Sequence, residues 1–357
     1  MPDPILRATG LSKSYHHRWA SALDRLRGAR EVPPRVRPAL HDVSFDLGSG
    51  EVLGVVGESG SGKSTLARCT TLLERPDAGR VLFDGRDLTA MRSAELRHQR
   101  RHIQIVFQDP YSSLNPRYTV QSQLAEVLTV HRLVARSEVD ARVSTLLDQV
   151  GLASTARHRY PADFSGGQRQ RICIARALAA APAVLVADET VSALDVSIQA
   201  QIINLLLDLQ ERLSLAMIFI SHNLHVVRYV APRVAVMFGG RIVEVIPAGV
   251  ALEDARHPYT RALIAALPRL EAGGLDALEG PPAELAGTLP VTGCPFRERC
   301  PLRHEPCETV DPALVPVHGD HLVACHAATA GGAPPLPPVG GGGFPAGPAA
   351  GHTRRGA

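Results

Sequence analysis

"GESGSGKST", residues 57–65, fits the pattern G-x-x-x-x-G-K-[ST]. The context around it decides the reading. The preceding "EVLGVVG" (51–57) is a short apolar run ending in glycine, as a buried strand does, and residues 63–73 have helical spacing. A strand that turns through glycines into a helix places backbone N–H groups around a phosphate, with the helix dipole behind them. Lys63 is then the ammonium that reaches the outer phosphates, and Ser64 offers a hydroxyl to Mg²⁺.

Strands and helices alternate outward from this loop. Strand signals fall at 40–47, 103–107, 183–188, 215–221 and 233–238, and helix signals at 166–180, 196–213 and 222–230. "GRVLFDGRDL" (79–88) carries a DG turn between short strands, and residues 120–150 predict a small helical region. Such alternation implies an α/β fold on a mostly parallel sheet covered on both faces. No internal repeat is visible.

Two further stretches bear on chemistry. "VLVADE" (184–189) ends an apolar strand in two acids. Asp188 can hold Mg²⁺ and Glu189 can polarise an attacking water. Alone, an acidic pair after a strand is most often a solvated loop; beside a phosphate loop it reads as catalytic. "FSGGQRQR" (164–171) places two glycines at a predicted helix start. Alone, that is an ordinary helix start capped by Ser165.

Phosphate loop, "FSGGQ", "VLVADE", "SALD" (192–195) and a histidine after a strand, His222, follow one another in an order and spacing that resembles the ATP-binding-cassette (ABC) ATPase family. The resemblance implies a P-loop NTPase (RecA-like) cassette with an antiparallel β subdomain, an inserted α-helical signature subdomain over about 111–175, and a small Cys-containing C-terminal extension. It implies ATP and Mg²⁺ as cofactors. By the same resemblance Gly57, Glu58, Ser59, Gly60, Ser61, Gly62, Lys63, Ser64 and Thr65 are expected to bind ATP, and Tyr15 resembles the aromatic that stacks on adenine. Gln108 in "VFQDP" resembles the glutamine that senses Mg²⁺ and the attacking water and lies by the groove that receives a membrane partner. The resemblance implies Ser64, Gln108 and Asp188 as the Mg²⁺ residues, and Glu189, His222, Gln108 and Lys63 as the catalytic set. Ser165, Gly166, Gly167 and Gln168 resemble the signature that contacts the γ-phosphate held by an opposite subunit, and Asp195 resembles the loop that links the two sites. Two positions depart from the family pattern: Thr190 replaces the usual proline, and Asn223 replaces a frequent aspartate.

Composition agrees with a folded chain that does not bind nucleic acid. Apolar residues make up 45% and the net charge is only +3. Only two of its 38 basic residues, Lys13 and Lys63, are lysines. Against that arginine background, a retained lysine suggests a need for a compact ammonium. No apolar run approaches the roughly 18–20 residues of a membrane span, and "MPDPILRATG" does not read as a signal peptide. The expectation is a protein at the cytoplasmic face of the membrane. Residues 16–38 read as a basic surface insertion. The stretch 331–350, with 13 Gly or Pro among 20 residues, predicts a disordered tail over 329–357.

"IVFQDPYSSLNPR" (105–117), "FSGGQRQRICIARAL" (164–178) and "HPYTRAL" (257–263) resemble the ATPase subunits of oligopeptide and dipeptide importers, over about residues 4–328. This implies a cassette over 1–250 and an importer-type extension over 251–328. It also implies a heterodimer with a second, similar ATPase beneath two permeases that an extracytoplasmic solute-binding protein feeds. The alternative is a soluble cassette ATPase of repair or translation. Repair versions carry long coiled coils before the signature, whereas about 100 residues without sustained heptads separate Thr65 from Ser165. Translation versions carry two cassettes, and this chain has one. A metal enzyme centred on the cysteines is a third alternative, but that region is short and proline-rich.

The C-terminal cysteines are spaced Cys294-x5-Cys300-x6-Cys307-x17-Cys325, unlike the paired C-x2-C of a zinc ribbon. The residues alone are compatible with an iron–sulfur cluster, zinc or free thiols. The importer resemblance implies a [4Fe–4S] cluster. Cys69 and Cys173 lie on predicted core helices and read as apolar fillers.

Overall fold

The computed structural model describes residues 3–16, 36–192, 194–266 and 292–329. Most of the basic stretch (17–35) and nearly all of the Gly/Pro-rich tail (330–357) lie outside the described residues. The chain divides into two compact units, one through Ile242 and one from Val243.

In the first unit, strands β1 (Leu6–His16), β2 (Val36–Leu47) and β3 (Val52–Val56) precede helix α1 (Lys63–Thr70). Then come β4 (Ala78–Phe83), β5 (Arg86–Asp87), α2 (Ser93–Gln99) and β6 (Ile103–Val106). Helices α3 (Pro110–Ser113), α4 (Val120–Val130), α5 (Val139–Gln149) and α6 (Gly166–Ala179) follow. The unit continues through β7 (Val184–Asp188), α7 (Val196–Leu213), β8 (Ala216–Ser221), α8 (Leu224–Val230) and β9 (Arg233–Phe238).

The strands sort into two groups. β2-β1-β4-β5 pair antiparallel. β9-β3-β8-β7-β6 pair parallel in that spatial order. Every residue of β3, β7 and β8 is buried, which is why these strands read as continuous apolar runs rather than alternating ones. Each fully buried Val, Leu or Ile there contributes about 1.5–3 kcal/mol. Because β3, β7 and β8 are parallel neighbours, their C-terminal ends lie side by side. The segments leaving those ends carry Lys63, at the start of α1, and Glu189 and His222 in loops, the position where ligands bind to open α/β sheets.

Helices α4, α5 and α6 pack together through buried Leu124, Leu128, Leu146, Leu147 and Ile172. Thr119 caps α4 by accepting from the Ser122 N–H at 3.2 Å. α1 is shorter than the 63–73 pattern predicts: it ends at Thr70, and Leu72 turns the chain at φ 52°.

The second unit contains β10 (Arg241–Ile246), which enters it at Val243, then α9 (Pro258–Ala265), α10 (Pro306–Thr309), β11 (Val315–His318), β12 (His321–Val323) and α11 (His326–Thr329). β12 pairs antiparallel with both β10 and β11. At its centre Glu244 is fully buried. Its carboxylate accepts from the Arg256 N–H at 2.6 Å and the His257 N–H at 3.2 Å, and pairs with His321 Nε2 at 2.8 Å. A buried carboxylate is tolerable only when it is bonded in this way.

Candidate active site

The loop between β3 and α1 owes its shape to contacts that exclude side chains. A Cβ at Gly57 would lie 2.2 Å from the Met237 carbonyl oxygen. Gly62 caps α1 in the left-handed region, at φ 105°, with no side chain over the helix end. The first N–H groups of α1 are therefore left for a ligand. Ser59 and Gly60 are exposed, and Thr65 lies in the first turn of α1. Ser61 Oγ is buried without a hydrogen-bond partner among the described residues. An orphaned hydroxyl in an anion-binding loop fits a phosphate oxygen.

Lys63 is almost completely buried. Its ammonium donates to the carbonyls of Gly57 at 2.8 Å and Glu58 at 3.0 Å, and lies 3.6 Å from Glu189 Oε1. Burial pushes the Lys63 pKa down, while the Glu189 carboxylate opposes that shift. Glu189 Oε2 lies 4.0 Å from His222 Nδ1. The Glu189 backbone sits at φ 46° and is tied to β8 by its N–H, which donates to the Ile220 carbonyl at 3.0 Å. A non-glycine residue there is strained, and such residues cluster at functional sites.

Ser64 Oγ donates to Asp188 Oδ1 at 3.2 Å. Burial raises the Asp188 pKa, and the bond from Ser64 opposes it. This hydroxyl–carboxylate pair offers hard oxygens at the mouth of the phosphate loop. It fits Mg²⁺, which takes few protein ligands beside substrate phosphates and water.

Five predicted residues thus converge: Lys63, Ser64, Asp188, Glu189 and His222. Gln108 joins them through a residue to which the sequence assigns no role of its own. Its Nε2 donates to Ser192 Oγ at 3.2 Å, and Ser192 Oγ donates to the Glu189 carbonyl at 3.0 Å. Tyr15, on β1, is 36% exposed, and its hydroxyl bonds the Glu74 carboxylate. Ser165 and Gln168 form a reciprocal capping box at the start of α6: Ser165 Oγ accepts from the Gln168 N–H at 3.3 Å, and Gln168 Oε1 from the Ser165 N–H at 3.1 Å. Gly166 and Gly167 form the first turn of that helix. Asp195 precedes α7 without capping it through its side chain.

Both family departures have structural consequences. Asn223 Oδ1 caps α8, accepting from the His225 and Val226 N–H groups at 3.0 and 3.3 Å, as an aspartate oxygen would. The predicted helix over 222–230 therefore starts at Leu224, leaving His222 in the loop beside Glu189. Thr190 is buried, and its hydroxyl has no hydrogen-bond partner among the described residues.

Cys69 and Cys173 are buried free thiols in the first unit. Among the described residues, no three His, Cys, Asp or Glu side chains are grouped to hold a metal ion. Cys294, Cys300, Cys307 and Cys325 are free thiols near enough to act on one another electrostatically, and nothing among the described residues supports the iron–sulfur cluster that the resemblance implies.

Residues 40–192 match the family described as ABC transporter, and residues 243–307 match the C-terminal region of oligopeptide/dipeptide transporters. A di/tripeptide transport ATP-binding protein of Pseudomonas aeruginosa is 48% identical over 325 residues, covering 91% of this chain and 98% of that protein. A protein of Sinorhizobium fredii named as a probable peptide ABC transporter ATP-binding protein is 46% identical over 336 residues, covering 91% of this chain and 90% of that protein. Among solved structures, a dimeric ATP-binding cassette in a post-hydrolysis state with ADP and phosphate superposes with a TM-score of 0.59 at 26% identity, covering 69% of this chain and all of that one. The chain belongs to the ABC transporter family, as an ATP-binding protein carrying the C-terminal region of the oligopeptide/dipeptide branch.

Proposed function

We propose that this protein is the ATP-hydrolysing subunit of an importer for oligopeptides, dipeptides or a related small solute. The convergence of Lys63, Ser64, Asp188, Glu189 and His222 at one end of the parallel strands carries the ATPase part. The match of 243–307 to the peptide-transporter C-terminal region, together with relatives of nearly full-length coverage, supports the importer part.

Phosphoryl transfer depends on positioning and charge neutralisation more than on covalent chemistry. Lys63 meets the phosphate charge. Ser64 and Asp188 would hold Mg²⁺, with Gln108 completing the set, and the ion would supply positive charge to neutralise the outer phosphates. Glu189 orients the attacking water, and His222 meets the γ-phosphate. Tyr15 stacks on the adenine. Ser165, Gly166, Gly167 and Gln168 serve the nucleotide of an opposing cassette, and Asp195 lies between the two sites. ATP then holds two cassettes together and hydrolysis releases them, which drives the permeases.

No helix of the described residues is long and apolar enough to cross a membrane. The protein sits at the cytoplasmic face through two permease subunits, paired with a second, similar ATPase and served by an extracytoplasmic binding protein. In reconstituted vesicles, peptide-loaded binding protein should stimulate ATP hydrolysis and peptide uptake together. Hydrolysis without any peptide-dependent stimulation or uptake would remove the importer assignment.

A further inference from the structure

Ser192 holds two parts of the site at once. Its N–H and Oγ both donate to the Glu189 carbonyl, at 3.2 and 3.0 Å. A serine hydroxyl has one proton and two acceptor lone pairs. With the Ser192 hydroxyl donating to Glu189, its oxygen accepts from Gln108 Nε2 at 3.2 Å, which leaves the Gln108 Oε1 arm turned the other way.

We propose that Ser192 is a positioning residue that orients Gln108, so that its carbonyl oxygen rather than its amine is offered to Mg²⁺ and the attacking water. The inference rests on the nucleotide reading of this site. Three features support it. Gln108 is itself exposed, and the Ser192 bond ties its side chain to the catalytic loop. Oxygen is the end that a hard cation accepts. The anchor on the far side of Ser192 is the backbone of Glu189, held at φ 46° and bonded to β8 through its own N–H. A shift of the 108 segment is thereby passed to the backbone of the residue that orients the water.

The test measures ATP affinity of the full-length chain by calorimetry, in EDTA and in excess Mg²⁺, for Ser192→Ala, Ser192→Thr, Gln108→Ala and the Ser192→Ala/Gln108→Ala double variant. The expected result is unchanged affinity in EDTA and an about tenfold smaller gain on adding Mg²⁺ for each alanine variant, with no further loss in the double variant. Ser192→Thr, which keeps the hydroxyl, should retain the gain. A full Mg²⁺ gain in Ser192→Ala, multiplicative losses in the double variant, or lost affinity in EDTA would each overturn the assignment. A native chain with no Mg²⁺ gain at all would instead remove the nucleotide reading, so the two failures are distinguishable.

Discussion

The ammonium of Lys63 lies 3.6 Å from the carboxylate of Glu189, with Lys63 almost fully buried and Glu189 17% exposed. In the proposed mechanism the group that meets the phosphate is thus already paired with the group that orients the water, so an incoming γ-phosphate would compete with Glu189 for Lys63 and free the carboxylate to turn to water. Removing the Glu189 charge should therefore spare or tighten ATP binding while removing turnover.

Gly167 is held to glycine by packing within the cassette, whatever it contacts in a partner. A Cβ there would lie 2.6 Å from Ile198 Cγ2 on α7, whereas one at Gly166 would have Leu194 Cδ2 at 3.3 Å as its nearest neighbour. Ile198 is β-branched and cannot readily rotate away. Gly167→Ala should cost about 1–3 kcal/mol, and Gly166→Ala distinctly less. Thermal unfolding compares them directly, and equal melting temperatures would contradict the packing argument.

Asn223 should behave as a helix cap. Asn223→Ala removes the acceptor for two N–H groups and should lower stability by about 1 kcal/mol, while Asn223→Asp should be nearly neutral. Denaturant titration of both variants checks this. A neutral alanine variant would mean that the cap is dispensable.

His257 should make the second unit acid-sensitive. It is buried, its Nδ1 accepts from the Tyr259 N–H at 3.0 Å, and burial pushes its pKa down to about 4. The unfolded chain takes up the proton first, near pH 6.5. Stability is therefore whole above about 6.5 and falls as pH drops toward about 4, by up to about 3 kcal/mol. His257→Asn keeps an acceptor at the cap and does not titrate, so it should flatten that part of the pH profile. Parallel profiles for the two proteins would contradict this account.

The parallel strands were legible because each is a buried run of consecutive apolar residues: Val52–Val56, Val184–Asp188 and Ala216–Ser221 match the sequence signals within a residue or two. The phosphate loop was legible because its shape demands glycines and its chemistry demands lysine. The hairpin β11–β12 was not: its strands are short, Pro316 interrupts one of them, and β11 is only partly buried. The Glu244 centre was equally hidden, because its partners at 256, 257 and 321 have no local periodicity. Ser192 was visible only as part of "SALD", since its bonds to Gln108 and the Glu189 carbonyl depend on a backbone turn rather than on residue pattern.

The most direct test of the central claim compares ATP binding and hydrolysis by the native protein and Glu189→Gln, assembled with its transporter subunits. The account predicts that Glu189→Gln retains bound ATP and loses at least about 100-fold in turnover. Hydrolysis by Glu189→Gln at the native rate would contradict it.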